Sequence, residues 1–314
     1  MGGLGDPRGD ADVTDSRLSH VFGEPGAIIT EVPVDAVFRQ LSALVATSSG
    51  DLRLDTVIRL TCGRALRLLP LPVEVDLFDG KSDAESVVAA FAEQFATDVT
   101  GVSDNQRTCF VTALGDRAFR VSAAVFVADF VPRVWAGLEA LGLGHPGRDV
   151  PVDWDHETDP AQALLGEFVP AVARLRALDP LTTEVVRLRG AVAHNCRLCK
   201  SLREGHALDA GGSESLYAEI QDYEHSEQLS DDHKAALRYV DALVWTPSAI
   251  PVEVARGVRS CFSEDESLEL TLDIMRNATN KIAVALGADT PRVASGTERY
   301  LIDDDGQTVF AGAP

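Results

Sequence analysis

The sequence predicts an all-α protein, on two observations. Apolar residues recur at helical spacing along most of its 314 residues, as in "DDHKAALRYVDALVW" at 231–245. Alanine and leucine far outnumber the alternating β-branched runs that strands need. A chain this long exceeds one ordinary core, which favours two domains or a duplicated unit.

Residues 1–26 are rich in Gly, Asp and Ser without periodicity and read as a disordered arm. Helical spacing then runs over 27–145, weakest at "LLPLPVEVDLFDG" (68–80), where two prolines resist a helix and an extended segment is the alternative. Gly and Pro punctuate the polar stretch from 141 to 160, and 146–160 is the candidate linker. Residues 161–314 form the second helical domain. Two echoes suggest tandem repeats: "TVIRL" (56–60) with "EVVRL" (184–188), offset by 128, and "VSDNQRTCF" (102–110) with "LSDDHKAAL" (229–237), offset by 127. A third, "FVPRVWAGLEALGLG" with "NATNKIAVALGAD", needs an insertion in the second half.

The net charge of −21 argues against nucleic acid and anionic membrane as partners, because both require basic surface. The opening residues lack a basic start followed by an apolar signal core, and no apolar run approaches the ~20 residues of a membrane span. A cytoplasmic, soluble protein is expected. Its five cysteines are then no disulfide scaffold, since that compartment keeps thiols reduced unless they turn over.

The segment "HNCRLCKSLREGH" (194–206) therefore needs an explanation of its own. Thr182 or Thr183 is expected to cap a helix carrying Glu184 in its first turn and Val185, Leu188 and Val192 on its apolar face. Asn195 is expected to cap a second helix reaching toward Gly211, with Cys196 in the first turn, where free N–H groups favour a thiolate. Three residues apart on one helix, Cys196 and Cys199 share a face and can approach for a disulfide. Zinc held by His194, Cys196, Cys199 and His206 is the competing reading. On a continuous helix His206 lies about 10 Å beyond Cys199, too far to close a tetrahedron. An inert pair filling the core is the third reading. Cys62, Cys109 and Cys261 have no sequence neighbours to pair with and are expected in the core.

Glu184, eleven intervening residues, Cys196-x-x-Cys199 and the later "NATNKIAVALG" resemble the alkylhydroperoxidase D-like branch of the carboxymuconolactone decarboxylase family, over about 160–290. The resemblance implies an all-helical fold, homo-oligomers, and reduction of a hydroperoxide substrate by the cysteine pair without a cofactor, at the expense of a thiol or dithiol reductant. It implies that Cys199 attacks the peroxide, Cys196 resolves the sulfenic acid, and Glu184 feeds the proton relay. The family's relay histidine falls four residues after the second cysteine, where this chain has Arg203. Arginine stays protonated at neutral pH, so an electrostatic role is expected, holding Glu184 or the Cys199 thiolate. His206 is the other candidate for the relay. If the first half is a degenerate copy, the offset of 128 places Thr56 at Glu184 and Leu68 and Leu71 at the cysteines. Carboxymuconolactone-type decarboxylation and a non-catalytic redox sensor remain the alternative functions.

Overall fold

Short polar side chains start most of the long helices. The computed structural model describes residues 33–310 apart from Phe78, Pro146 and Asp149, so the expected arm over 1–26 lies outside the described residues. Helix α1 spans Val34–Ala46, and Asp51 caps α2 (Leu52–Leu66) by accepting from the Leu54 amide. Ser82 with Glu85 forms a reciprocal capping box for α3 (Asp83–Thr97), and Ser103 with Gln106 does the same for α4 (Asp104–Leu114). Helix α5 (Ala118–Leu141) ends on the left-handed Gly142.

A π-helical stretch, Gln162–Phe168, continues into α6 (Val169–Val172) and is followed by α7 (Pro180–Ala193). Short elements come next: α8 (Arg197–Lys200), β1 (Leu202–Glu204), α9 (Gly205–Asp209) and α10 (Glu214–Ala218). Long helices resume with α11 (Asp231–Trp245), α12 (Val252–Cys261), α13 (Glu264–Ala278) and α14 (Asn280–Leu286). The chain then turns back as β2 (Glu298–Ile302) and β3 (Thr308–Phe310). The fold is all-α apart from one small sheet of order β1-β2-β3, with β1 and β2 parallel and β2 and β3 antiparallel.

Helix α5 is apolar around most of its circumference, so water offers it no favourable face and it takes the centre. It packs on α1, α2 and α3 on one side and on α11 to α14 on the other. The α4–α5 stretch contains a window long and apolar enough to cross a membrane, contrary to the expectation that no such run exists, and 89% of that window is buried within the protein. Arg133 of α5 is among the largest fully buried side chains. Its guanidinium donates to the Ala96 carbonyl at the end of α3 (2.6 Å) and to the Leu243 and Val244 carbonyls at the end of α11 (3.0 and 2.6 Å). Asp129 neutralises it at 2.9 Å and also pairs with the buried Lys281 of α14.

The starts of three pairs of long helices stand at two intervals along the chain. Helix α2 begins at Leu52 and α7 at Pro180, 128 residues on; α3 begins at Asp83 and α11 at Asp231, 148 on; α4 begins at Asp104 and α12 at Val252, again 148 on. The extra length sits between α7 and α11, where the cysteine pair lies. The second echo read from the sequence, at 127, falls outside the 148-residue interval. It sets the capped start of α4 beside that of α11, and any Ser-capped helix start resembles another. The candidate linker follows α5 without a helix of its own and is tied to α1, its Asp155 amide donating to the Ala46 carbonyl at 3.0 Å. Residues 68–77 form no regular element; the Thr56 hydroxyl holds them by donating to the Val75 carbonyl (2.9 Å). The described residues fall within one compact unit.

Candidate functional site

Helix α7 starts three residues before the expected threonine caps. Asp179 is the N-cap, accepting from the Leu181 and Thr182 amides, and Pro180 occupies the first helical position, where its missing N–H costs nothing. Glu184 consequently falls in the second turn and on the buried face, at 1% exposure. Val185 and Leu188 are buried as expected, while Val192 is half-buried.

The chain leaves α7 through Asn195, whose φ of +50° lies in the left-handed region that asparagine tolerates better than most residues. Asn195 is thus the reversal, and the cap of α8 is Cys196 itself, its sulfur accepting from the Cys199 amide at 3.1 Å. The two sulfurs stand at disulfide-bonding distance, with Cα atoms 5.3 Å apart. Cys196 is fully buried and Cys199 is half-buried, so Cys199 is the sulfur nearer to solvent.

The expected single helix over 196–211 is broken into α8, β1 and α9. Pairing of β1 with β2 draws residues 202–204 into an extended path, and Glu204 then caps α9 by accepting from the Ala207 amide. Gly205 permits this path, because a Cβ there would come within 2.5 Å of the Leu301 side chain. Arg203 and His206 therefore do not share a helix.

The cation beside Glu184 is Arg187, one turn along α7. Its Nε and Nη2 meet the two carboxylate oxygens at 2.6 and 2.7 Å, and the Glu204 amide donates to the same carboxylate at 3.2 Å. Arg187 also donates to the Cys199 carbonyl (2.9 Å) and the Leu202 carbonyl (2.8 Å), joining the carboxylate to the main chain of the cysteine turn. Burial works against its charge, but the attraction of Glu184 outweighs it and holds the guanidinium pKa above the ordinary arginine value. Two buried tyrosines flank this pair. Burial, reinforced by Glu184, pushes Tyr217 up to about 12; burial also pushes Tyr300 up to about 12, against the pull of Arg187.

Arg203, expected to hold Glu184 or Cys199, directs its Nε and Nη2 to Glu214 of α10 (both 2.8 Å) and its Nη1 to the Lys200 and Leu202 carbonyls. Position decides this: in β1 its side chain points toward α10, with Tyr217 under the guanidinium at 5.4 Å. His206 is exposed and meets Glu204 at 2.9 Å. His194 is buried against Asn280 at 3.1 Å, and burial, with Lys281 and Arg133 nearby, holds it well below the ordinary histidine range. Among the described residues no cluster of three or more His, Cys, Asp or Glu side chains is arranged to hold a metal. Of the remaining cysteines only Cys62 is in the core; Cys109 is exposed on the outer face of α4 and Cys261 is half-buried.

The sequence reading missed Arg187, although the signal was present. "TVIRL" and "EVVRL" share an arginine, and Arg59 on α2 behaves as Arg187 does on α7. Arg59 is buried and donates to the carbonyl of Pro72, thirteen residues later, and to those of Val45 and Thr47, as Arg187 donates to that of Cys199, twelve residues later.

Uncharacterized proteins Rv2313c and MT2376 of Mycobacterium tuberculosis are each 58% identical to this chain over 273 residues, 86% of this chain and 96% of theirs. Uncharacterized protein YdfG of Bacillus subtilis is 25% identical over 113 residues, 35% of this chain and 77% of its own. No family model matches the chain, and no solved structure matches it significantly. With that identity over nearly the whole of its relative, the chain belongs to the same family as uncharacterized protein Rv2313c of Mycobacterium tuberculosis.

Proposed function

We propose that this protein is a thiol-dependent oxidoreductase of the alkylhydroperoxidase D-like kind, reducing hydroperoxides through Cys199 and Cys196. The observation that carries the reading is the cysteine pair at bonding distance, with the outer sulfur half-buried, next to a buried ion pair that grips its main chain. In the proposed cycle the Cys199 thiolate attacks the terminal peroxide oxygen. An S–O bond forms, the O–O bond breaks, and the alkoxide leaves with a proton as the alcohol. The Cys196 thiolate then attacks the Cys199 sulfur, displacing hydroxide, which takes a proton to become water. A dithiol reductant returns two electrons and two protons. The Cys199 amide donating to the Cys196 sulfur stabilises that thiolate once it is released.

In this reading Glu184 accepts the thiol proton only by exchanging its bonds to Arg187, and Arg203 holds the cysteine turn against α10. The first half is a degenerate copy that keeps the buried arginine and helix order but has Thr56 in place of the carboxylate. A redox switch without turnover is the second reading, supported by the position of Arg203 where a titrating relay group is expected. The deciding experiment follows peroxide consumption with dithiothreitol as reductant. Steady turnover lost in Cys199→Ser supports the enzyme, and a single stoichiometric oxidation supports the switch.

A further inference from the structure

Residues 298–310 lie beyond the stretch that resembles the peroxidase family, yet they reach the site by two routes. The first runs through the main chain. Strand β2 lies parallel to β1 so that Tyr300 stands opposite Glu204, the residue whose amide donates to Glu184. A three-residue strand has no stability of its own, so β1 depends on β2 for its extended form. The second route runs through side chains. The Tyr300 ring packs beneath the Arg187 guanidinium, 5.6 Å from its centroid, and Arg187 binds Glu184, the Cys199 carbonyl and the Leu202 carbonyl. Phe310 of β3 backs the Tyr300 ring at 6.3 Å, and Arg299 ties the hairpin to Asp209.

We infer that Tyr300 is a positioning residue for the dithiol centre, orienting Arg187 and thereby the main chain that carries Cys199. The inference rests on the dithiol reading above and assigns the C-terminal hairpin to the site. Tyr300 acts through Arg187; its ring keeps the guanidinium from rotating off the Cys199 carbonyl, and its strand keeps the Glu204 amide on Glu184.

The competing account is a ring that merely fills space. Loss of a filler lowers the melting temperature and leaves the cysteine chemistry alone. The test uses the full chain, reduced, and follows iodoacetamide alkylation of Cys199 across pH with the site identified by mass, alongside peroxide turnover. Tyr300→Ala is expected to raise the pH midpoint of Cys199 alkylation by roughly half a unit. It is expected to lower kcat roughly tenfold, as loss of a desolvated cation–π contact predicts, with KM within about twofold. Tyr300→Phe keeps the ring and should restore most of both. Phe310→Ala removes the backing, along with a ring contact to Arg292 away from the site, should move the midpoint in the same direction by less, and keeps the test open if Tyr300→Ala does not fold. An unmoved midpoint in the folded variants overturns the inference. Absence of peroxide turnover in the unmodified protein sinks the peroxidase reading alone, because alkylation needs no peroxide and still reports on Tyr300.

Discussion

Arg187 binds both carboxylate oxygens of Glu184 one turn earlier on α7, at 2.6 and 2.7 Å, with both side chains withdrawn from water. Such a pair balances two desolvation penalties, and removing one partner exposes the other. Glu184→Gln should therefore destabilise the protein by about 3–5 kcal/mol, as an unpaired buried guanidinium requires. Urea unfolding of the reduced protein checks this. A loss near that of an exposed ion pair, below about 1 kcal/mol, means that water reaches Arg187.

Oxidation should be confined to one pair. A stoichiometric dose of hydroperoxide is expected to consume two thiols and leave Cys62, Cys109 and Cys261 free on peptide mapping. Of these three, the exposed Cys109 should react with an alkylating reagent first in the native state. Cys62 should react last, since full burial raises its thiol pKa far above the ordinary value. A bridge involving Cys109 or Cys261 removes the basis for the site.

Arg203 tests where the cation of the site resides. Because its two-point partner is Glu214, Arg203→His should not supply a relay; it should loosen the tie between β1 and α10 and slow turnover. The stability change should stay within about 1 kcal/mol, since Glu214 is largely exposed. Arg203→Lys should retain part of the rate. A histidine variant faster than the unmodified protein, in turnover measured across pH, restores the relay role to this position.

Stability should fall as pH rises toward neutrality, for a reason outside the cysteine site. Burial, with Asp273 one turn further along α13, pushes Glu269 up to about 7 from an ordinary 4.5. Between those values the folded carboxyl keeps a proton that the unfolded one has released, so the folded state loses its advantage as pH climbs through the window. The contribution is on the order of 3 kcal/mol. Glu269→Gln, which mimics the neutral acid, should flatten the decline between roughly pH 5 and pH 8 in urea unfolding. Parallel curves for the two proteins mean that Glu269 is ionised throughout.

Much of this fold was legible because helix periodicity is local. The periodicity of "DDHKAALRYVDALVW" became α11, whereas the expected caps Thr182 or Thr183 and Asn195 gave way to Asp179 and Cys196. The cysteine pair was legible for the same reason, its spacing being three residues. What escaped was non-local. Nothing near residue 202 announces a strand, since its partner lies almost a hundred residues away, and without β2 the periodic reading of a continuous helix was the reasonable one. The assignment of Arg203 to Glu184 failed with that helix, and Arg187 went unseen although it stands three residues from Glu184.

Arg133 has a consequence for how the molecule comes apart. One guanidinium holds the last turns of α3 and α11 together, and its counterion Asp129 is shared with Lys281. If either segment frayed alone, a charge would remain in the apolar interior without its acceptors, so partial opening is penalised from both directions. The protein should melt in a single calorimetric transition, and neither segment should persist when expressed by itself. The N-terminal segment, which contributes no residue to the cysteine site, supplies both Arg133 and the Ala96 carbonyl that it binds. Its part in the molecule, by this contact, is cohesion: it keeps its neighbour from dissolving.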